Sequence, residues 1–153
     1  MENIYRLLDE HNLTFHEIDM PTSSLKGLII DEKIYISKDI ETEAERVCVL
    51  AEEIAHYQYS AGDILDQNDL NNRKQERLAR GKSYEMLISL QDLINVLESR
   101  VRNVYEAAEI LNVDEKTFID TIEHYRLKYG QYVNHNKYTI ILYPFIGIVE
   151  KEK

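Results

Sequence analysis

The chain has one cysteine, Cys48, in 153 residues. No internal disulfide can form, so the fold must rest on a hydrophobic core, and this cysteine usage fits a reducing cytosol. There is no tryptophan, and two prolines and five scattered glycines leave no flexible linker and no glycine-rich phosphate loop. No apolar run approaches the roughly 20 residues of a membrane helix. The start, Met1-Glu2-Asn3-Ile4-Tyr5-Arg6, lacks the basic segment and apolar stretch of a secretory signal. Basic residues are also short, 18 against 28 acidic, for a net charge of −10. Proteins that grip nucleic acid neutralise phosphates with a basic field, so direct nucleic-acid binding is not expected. An acidic surface suits a protein partner of opposite charge. These absences describe a cytoplasmic domain without a membrane span, long enough for one core and a small appended lobe.

Hydrophobic periodicity supplies the elements. Residues 2–12 carry Ile4, Leu7, Leu8 and His11 at helical spacing, and residues 13–18 alternate as a short strand. Two β-branched runs, 25–30 and 33–37, flank Asp31-Glu32 as a hairpin, although that pair is not a favoured turn. Thr42-Glu43-Ala44-Glu45 matches a capping box and opens a helix to about Tyr59. Residues 63–72 read as a polar loop and about 70–97 as a second long helix containing Gly81. Two short helices over 103–129, with a turn at Asn112-Val113-Asp114, resemble a helix-turn-helix pair. The second of them balances Lys116, Arg126 and Lys128 against Glu115, Asp120 and Glu123, so it reads as structural or protein-docking. Residues 131–149 close the chain as strands. The expected class is α+β, with a core over 1–98 and, packed on it, 99–153 as the helix pair plus C-terminal strands.

Within the first long helix lies Leu50-Ala51-Glu52-Glu53-Ile54-Ala55-His56-Tyr57. Glu52 and His56 stand at i and i+4, one above the other on a helical face. In a zincin helix two histidines at that spacing bind the metal, and the glutamate after the first activates the metal's water. Here a carboxylate replaces the first imidazole, and Glu53 takes the position of the general base. Sequence spacing places this group on Val49, Glu52, Glu53 and His56, a face offset from a core stripe of Val47, Leu50, Ala51, Ile54 and Gln58. A third ligand would come from a following helix, and Glu76 lies there with the small Ala79 beside it. The motif alone is weak, since the glutamate and histidine content gives it by chance roughly once in fifteen such chains. The competing reading is a solvated acidic helix face with one histidine. Cys48 is no nucleophile partner for His56, because eight helical residues separate them by about 12 Å.

These residues resemble the ImmA/IrrE metallo-endopeptidases, whose signature reads Leu-Ala-His-Glu-Leu-Gly-His-Tyr where this chain has residues 50–57. Lys26-Gly27-Leu28, Lys33-Ile34-Tyr35-Ile36 and the capped start at Thr42 are similar to the family's hairpin and helix entry. Glu76-Arg77-Leu78-Ala79 is similar to its Glu-x-x-Ala motif. The resemblance implies a zincin-like (gluzincin) minimal peptidase core in a bacterial cytosol, encoded on a phage or mobile element. It implies Glu52, His56 and Glu76 as metal ligands, Glu53 as catalytic base, and Zn²⁺ as cofactor. The implied substrate is a helix-turn-helix repressor, which the protein cleaves or inactivates. Glu52 departs from the family's histidine. Two anionic ligands would acidify bound water less and shift preference toward harder ions such as Mn²⁺. A protein that kept the fold and lost the chemistry would act instead as a non-catalytic antirepressor.

Overall fold

The computed structural model describes residues 2–59 and 70–152. Among them are six α-helices and two three-stranded sheets, an α+β fold that divides into two compact units, Met1–Leu87 and Ile88–Lys153. Of the expected polar loop over 63–72, residues 63–69 lie outside the described residues, and 70–72 instead begin the helix Leu70–Leu87.

The first unit contains α1 (Glu2–Glu10), β1 (Thr14–Ile18), β2 (Gly27–Ile30), β3 (Lys33–Ser37), α2 (Glu43–Tyr59) and α3 (Leu70–Leu87). β3 lies at the sheet's centre, parallel to β1 and antiparallel to β2, with Phe15 and Ile29 both registered on Ile34. Its alternate residues Ile34 and Ile36 are fully buried, as period-two side chains on a one-sided sheet must be. The β2–β3 turn is unusual. Asp31 and Glu32 both take positive φ, 48° and 66°, the geometry that matches the strand twist and that normally selects glycine or asparagine.

The α2 start forms as its sequence foretells. The Glu45 backbone N–H donates to Thr42 Oγ1 at 3.1 Å, a cap worth about 1 kcal/mol. Tyr5 Oη donates to Glu43 Oε1 at 2.5 Å, and Arg46 bridges Glu43 and Glu17, so the helix entry is tied to α1 and β1. The core gathers Ile4 and Leu8 of α1, Leu13, Ile34 and Ile36, and Val47, Leu50, Ala51 and Ile54 of α2.

One expectation about α2 fails. The face carrying Val49 and Glu53 is not offset from the core, because both are buried along with Val47, Leu50, Ala51, Ile54 and Ala55. The helix packs against α1, α3, β2 and β3 together, so its buried arc is wider than the single stripe of a helix lying on one layer.

The second unit contains α4 (Leu90–Glu98), α5 (Val104–Leu111), α6 (Glu115–Tyr129), and a sheet of β4 (Tyr132–His135), β5 (Tyr138–Ile141) and β6 (Gly147–Glu150) in sequential antiparallel order. The expected single helix over about 70–97 is in fact two. Ser89 N-caps α4 with a reciprocal capping box, in which Asp92 N–H donates to Ser89 Oγ at 3.1 Å and Ser89 N–H donates to Asp92 Oδ2 at 2.9 Å. Those local bonds compete with helix continuation and end α3 at Leu87. Leu78 of α3 is half exposed.

The helix pair over 103–129 forms as expected. Asn103 and Asp114 cap its two members, and Asn112 turns the chain in the left-handed conformation at φ 56°. Phe118, Ile122 and Tyr125 are buried, and Tyr125 Oη donates to the Ile88 carbonyl at 2.7 Å. The strands expected over 131–149 form as β4, β5 and β6.

Candidate metal centre on the second helix

α2 carries Glu52, Glu53 and His56 past the edge strand β2, with α3 alongside. Glu52 faces outward, whereas Glu53 is turned into the interior at 7% exposure. Gly27 explains how Glu53 can be there. A Cβ at position 27 would lie 2.6 Å from Val49 Cγ1 and 3.2 Å from Glu53 Oε1, so the β2 backbone rests directly against the glutamate. Only glycine allows that approach.

Burial of a carboxyl disfavours its charged form, and neighbouring carboxylates disfavour it further. Glu53 is accordingly pushed up to about 8, first by desolvation, then by the charge of Glu52, then by that of Glu76. The influence of Glu76, a residue of α3, puts that side chain in the electrostatic reach of α2. His56 confirms the approach, with Nδ1 3.6 Å from Glu76 Oε2 and both side chains largely covered. Arg80, one turn further along α3, places Nη2 3.5 Å from Glu76 Oε1. The sequence placed Glu52, Glu53, His56 and Glu76 in one site, and the fold brings His56 to Glu76 and puts Glu53 under the charges of Glu52 and Glu76.

The fit of a divalent ion can be judged from these groups. Zinc bonds of about 2.0–2.1 Å in a tetrahedron put neighbouring donor atoms about 3.3 Å apart. The His56–Glu76 spacing of 3.6 Å is close to that edge. Imidazole nitrogen with carboxylate oxygens is zinc or manganese donor chemistry. Three mutually repelling carboxylates are also an environment that a cation relieves. The set is nevertheless not closed, since among the described residues no group of three or more His, Cys, Asp or Glu side chains is disposed to hold a metal. The donors fit in kind, and the His56–Glu76 pair fits in spacing. Glu52 is exposed.

A family model described as the IrrE N-terminal-like domain matches residues 8–123. The chain belongs to that family. The matched span includes all of α2 and α3, and therefore every residue of the candidate centre. No curated protein and no solved structure matches the chain. As an IrrE N-terminal-like chain it is a metallopeptidase-like protein, and membership implies a divalent metal, typically zinc. Among the described residues no helix is long and apolar enough to cross a membrane.

Three contributors escaped the sequence reading. Gly27 reads in the sequence as part of the hairpin motif, and only the fold shows that it admits Glu53. Arg80 stands four residues after Glu76 on the same helix face, the spacing at which an ion pair is expected, so it was legible. The third is the bond between Gln58 Nε2 and His11 Nε2 at 2.6 Å, supported by the edge-on His11 and Tyr57 rings, which ties the end of α2 to the loop after α1. Nothing in local sequence announces a contact between residues so far apart.

Proposed function

We propose that this chain is a divalent-metal-dependent endopeptidase that cleaves a helix-turn-helix repressor, with Glu53 as its general base. The observation that carries the reading is Glu53 itself. It is a buried carboxyl on the family's signature helix, held against β2 by Gly27 and influenced by Glu52 and Glu76. Structural glutamates are rarely buried without a cationic partner, whereas catalytic carboxyls are tuned this way. Glu52, His56 and Glu76 would hold the ion. When bound, it supplies Lewis acidity and a water of lowered pKa. An adjacent cation also favours the ionised form of Glu53, which reverses the upward push of its neighbours.

The chain's own residues then divide the work. Glu53 takes the proton of the attacking water at its carboxylate and returns it to the leaving amide nitrogen. Gly27 keeps the β2 backbone close enough to exclude water from one side of Glu53, and Arg80 holds Glu76 by its second oxygen. A phage or mobile-element repressor as substrate follows from the resemblance, and the acidic surface of a −10 chain suits a DNA-binding protein. The test is incubation of the protein with the repressor encoded beside it, in zinc or manganese, with fragments read by mass spectrometry. Fragments from the wild type and none from Glu53→Gln are expected. An intact repressor with both would sink the reading.

A second reading has one observation in its favour, the outward Glu52 and the open ligand set. In it the chain binds the repressor without cutting it. Repressor binding that survives both chelation and Glu53→Gln, with no fragments, is its signature.

A further inference from the structure

The second unit carries a two-part groove whose lining differs from end to end. One part, about 200 Å³, has mainly apolar walls that include Leu97, Val104, Ala107, Phe118 and Ile146, with Arg102 and Asn103 at its polar side. The other, about 290 Å³, is lined by Ser99, Val101, Ile110 and the carboxylates of Glu106 and Glu109. Val101 belongs to both. Each part is smaller than the roughly 300–1,000 Å³ of small-molecule sites, and is of a size for single side chains.

The charges in the second part come from one helix. Glu106 and Glu109 stand three residues apart on α5, hence on one side of it, with Ile110 next to them and 56% exposed. Glu106 is partly used at home, accepting the Arg102 N–H at 2.8 Å and standing 3.9 Å from a highly exposed Arg102 side chain. Glu109 makes no ion pair among the described residues.

We propose that this groove docks a cationic amphipathic segment of a protein partner. An apolar side chain would enter the Leu97–Phe118 part, and a lysine or arginine would meet Glu106 and Glu109. An apolar anchor beside a charge pair is how helical and extended segments are usually read, the anchor giving affinity and the charge giving register. The surface is independent of the chemistry at Glu53, so it stands or falls apart from the peptidase reading.

The probe is a synthetic helical peptide with leucines at i, i+3, i+4 and i+7 and lysines between them, fluorescently labelled. Its counterpart has glutamate for every lysine. Anisotropy titrations use the full chain. The lysine peptide should bind saturably and the glutamate peptide should not. Glu109→Lys should weaken binding about tenfold, which is ~1.4 kcal/mol, and Val101→Asp should abolish it. Glu41→Lys, the same charge change at an exposed site in the first unit, should alter affinity less than twofold. If Val101→Asp does not fold, Ile110→Asp at an exposed position replaces it. Glu53→Gln should bind like the wild type. Equal weakening by Glu109→Lys and Glu41→Lys would overturn the proposal by showing general charge attraction. No saturable binding would overturn it too, as would sedimentation showing that a second copy of the chain fills the groove.

Discussion

Glu53 should make the metal-free protein less stable as the pH rises, and removing its charge should reverse this. Its carboxyl is raised from 4.5 to about 8 in the fold. A raised carboxyl pKa means that the folded state binds a proton more tightly than the unfolded one. The proton-linked stabilisation is therefore complete below pH 4.5 and lost progressively as the pH climbs through about 8. One pKa unit corresponds to about 1.4 kcal/mol, so the full swing is on the order of 5 kcal/mol for the ion-free site. Glu53→Gln keeps the shape and removes the titration, but its amide needs partners of its own, at a cost of about 1–2 kcal/mol if they are not found. Its net gain should be about 3 kcal/mol at pH 9 and should vanish or reverse at pH 5. Urea unfolding in chelator at both pH values measures it, with an unchanged slope showing that the unfolded states are alike. The variant should be the more stable protein at pH 9 and the inactive one throughout. Parallel pH dependence in the two proteins would refute the buried-carboxyl argument, whatever the activity does.

Four other outcomes follow from the same geometry. Zinc or manganese in excess should raise the melting temperature of the wild type, by about 2.7 kcal/mol of stabilisation at a hundredfold over Kd, and should do little for His56→Ala. Gly27→Ala must displace Val49 or lift β2 off Glu53, so chemical unfolding should show a loss of about 1–3 kcal/mol and peptidase activity should fall with it. Glu32→Gly relieves a positive φ of 66° that a non-glycine residue resists, and should add about 0.5–1 kcal/mol in the same assay. Ser89→Ala breaks the capping box that opens α4 and should cost about 1 kcal/mol in thermal unfolding.

The sequence carried much of this account where the signal was local. Thr42 announced the α2 start, the two β-branched runs announced the hairpin, and the Asn112-Val113-Asp114 turn announced the helix pair. The glutamates and histidine of the site were legible from spacing because helical geometry fixes which side chains share a face. Three things were not legible, for three reasons. The break at Ser89 sits inside a continuous apolar pattern, and only the Ser89–Asp92 pair marks it, a signal outvoted by periodicity. The burial of Glu53 depends on β2 lying over α2, a tertiary contact that makes a polar residue part of the interior. The parallel pairing of β1 with β3 is likewise a matter of topology, since alternation fixes a strand and not its neighbour.

The candidate centre itself shows the same division. Helical spacing pairs Glu52 with His56, the family resemblance points to Glu76, and the fold brings His56 within 3.6 Å of Glu76. Glu52 is where the two part, since it holds the i position on the helix and yet faces outward. Metal binding, more than any feature of the backbone, decides between the two readings of function.

The most direct test of the central claim is therefore the metal content of the folded protein, measured by elemental analysis after equilibration with zinc or manganese and removal of unbound ion. The account predicts one equivalent per chain in the wild type and in Glu53→Gln, and far less in His56→Ala and Glu76→Gln. No bound metal in the wild type, or one equivalent retained in all four proteins, would contradict it.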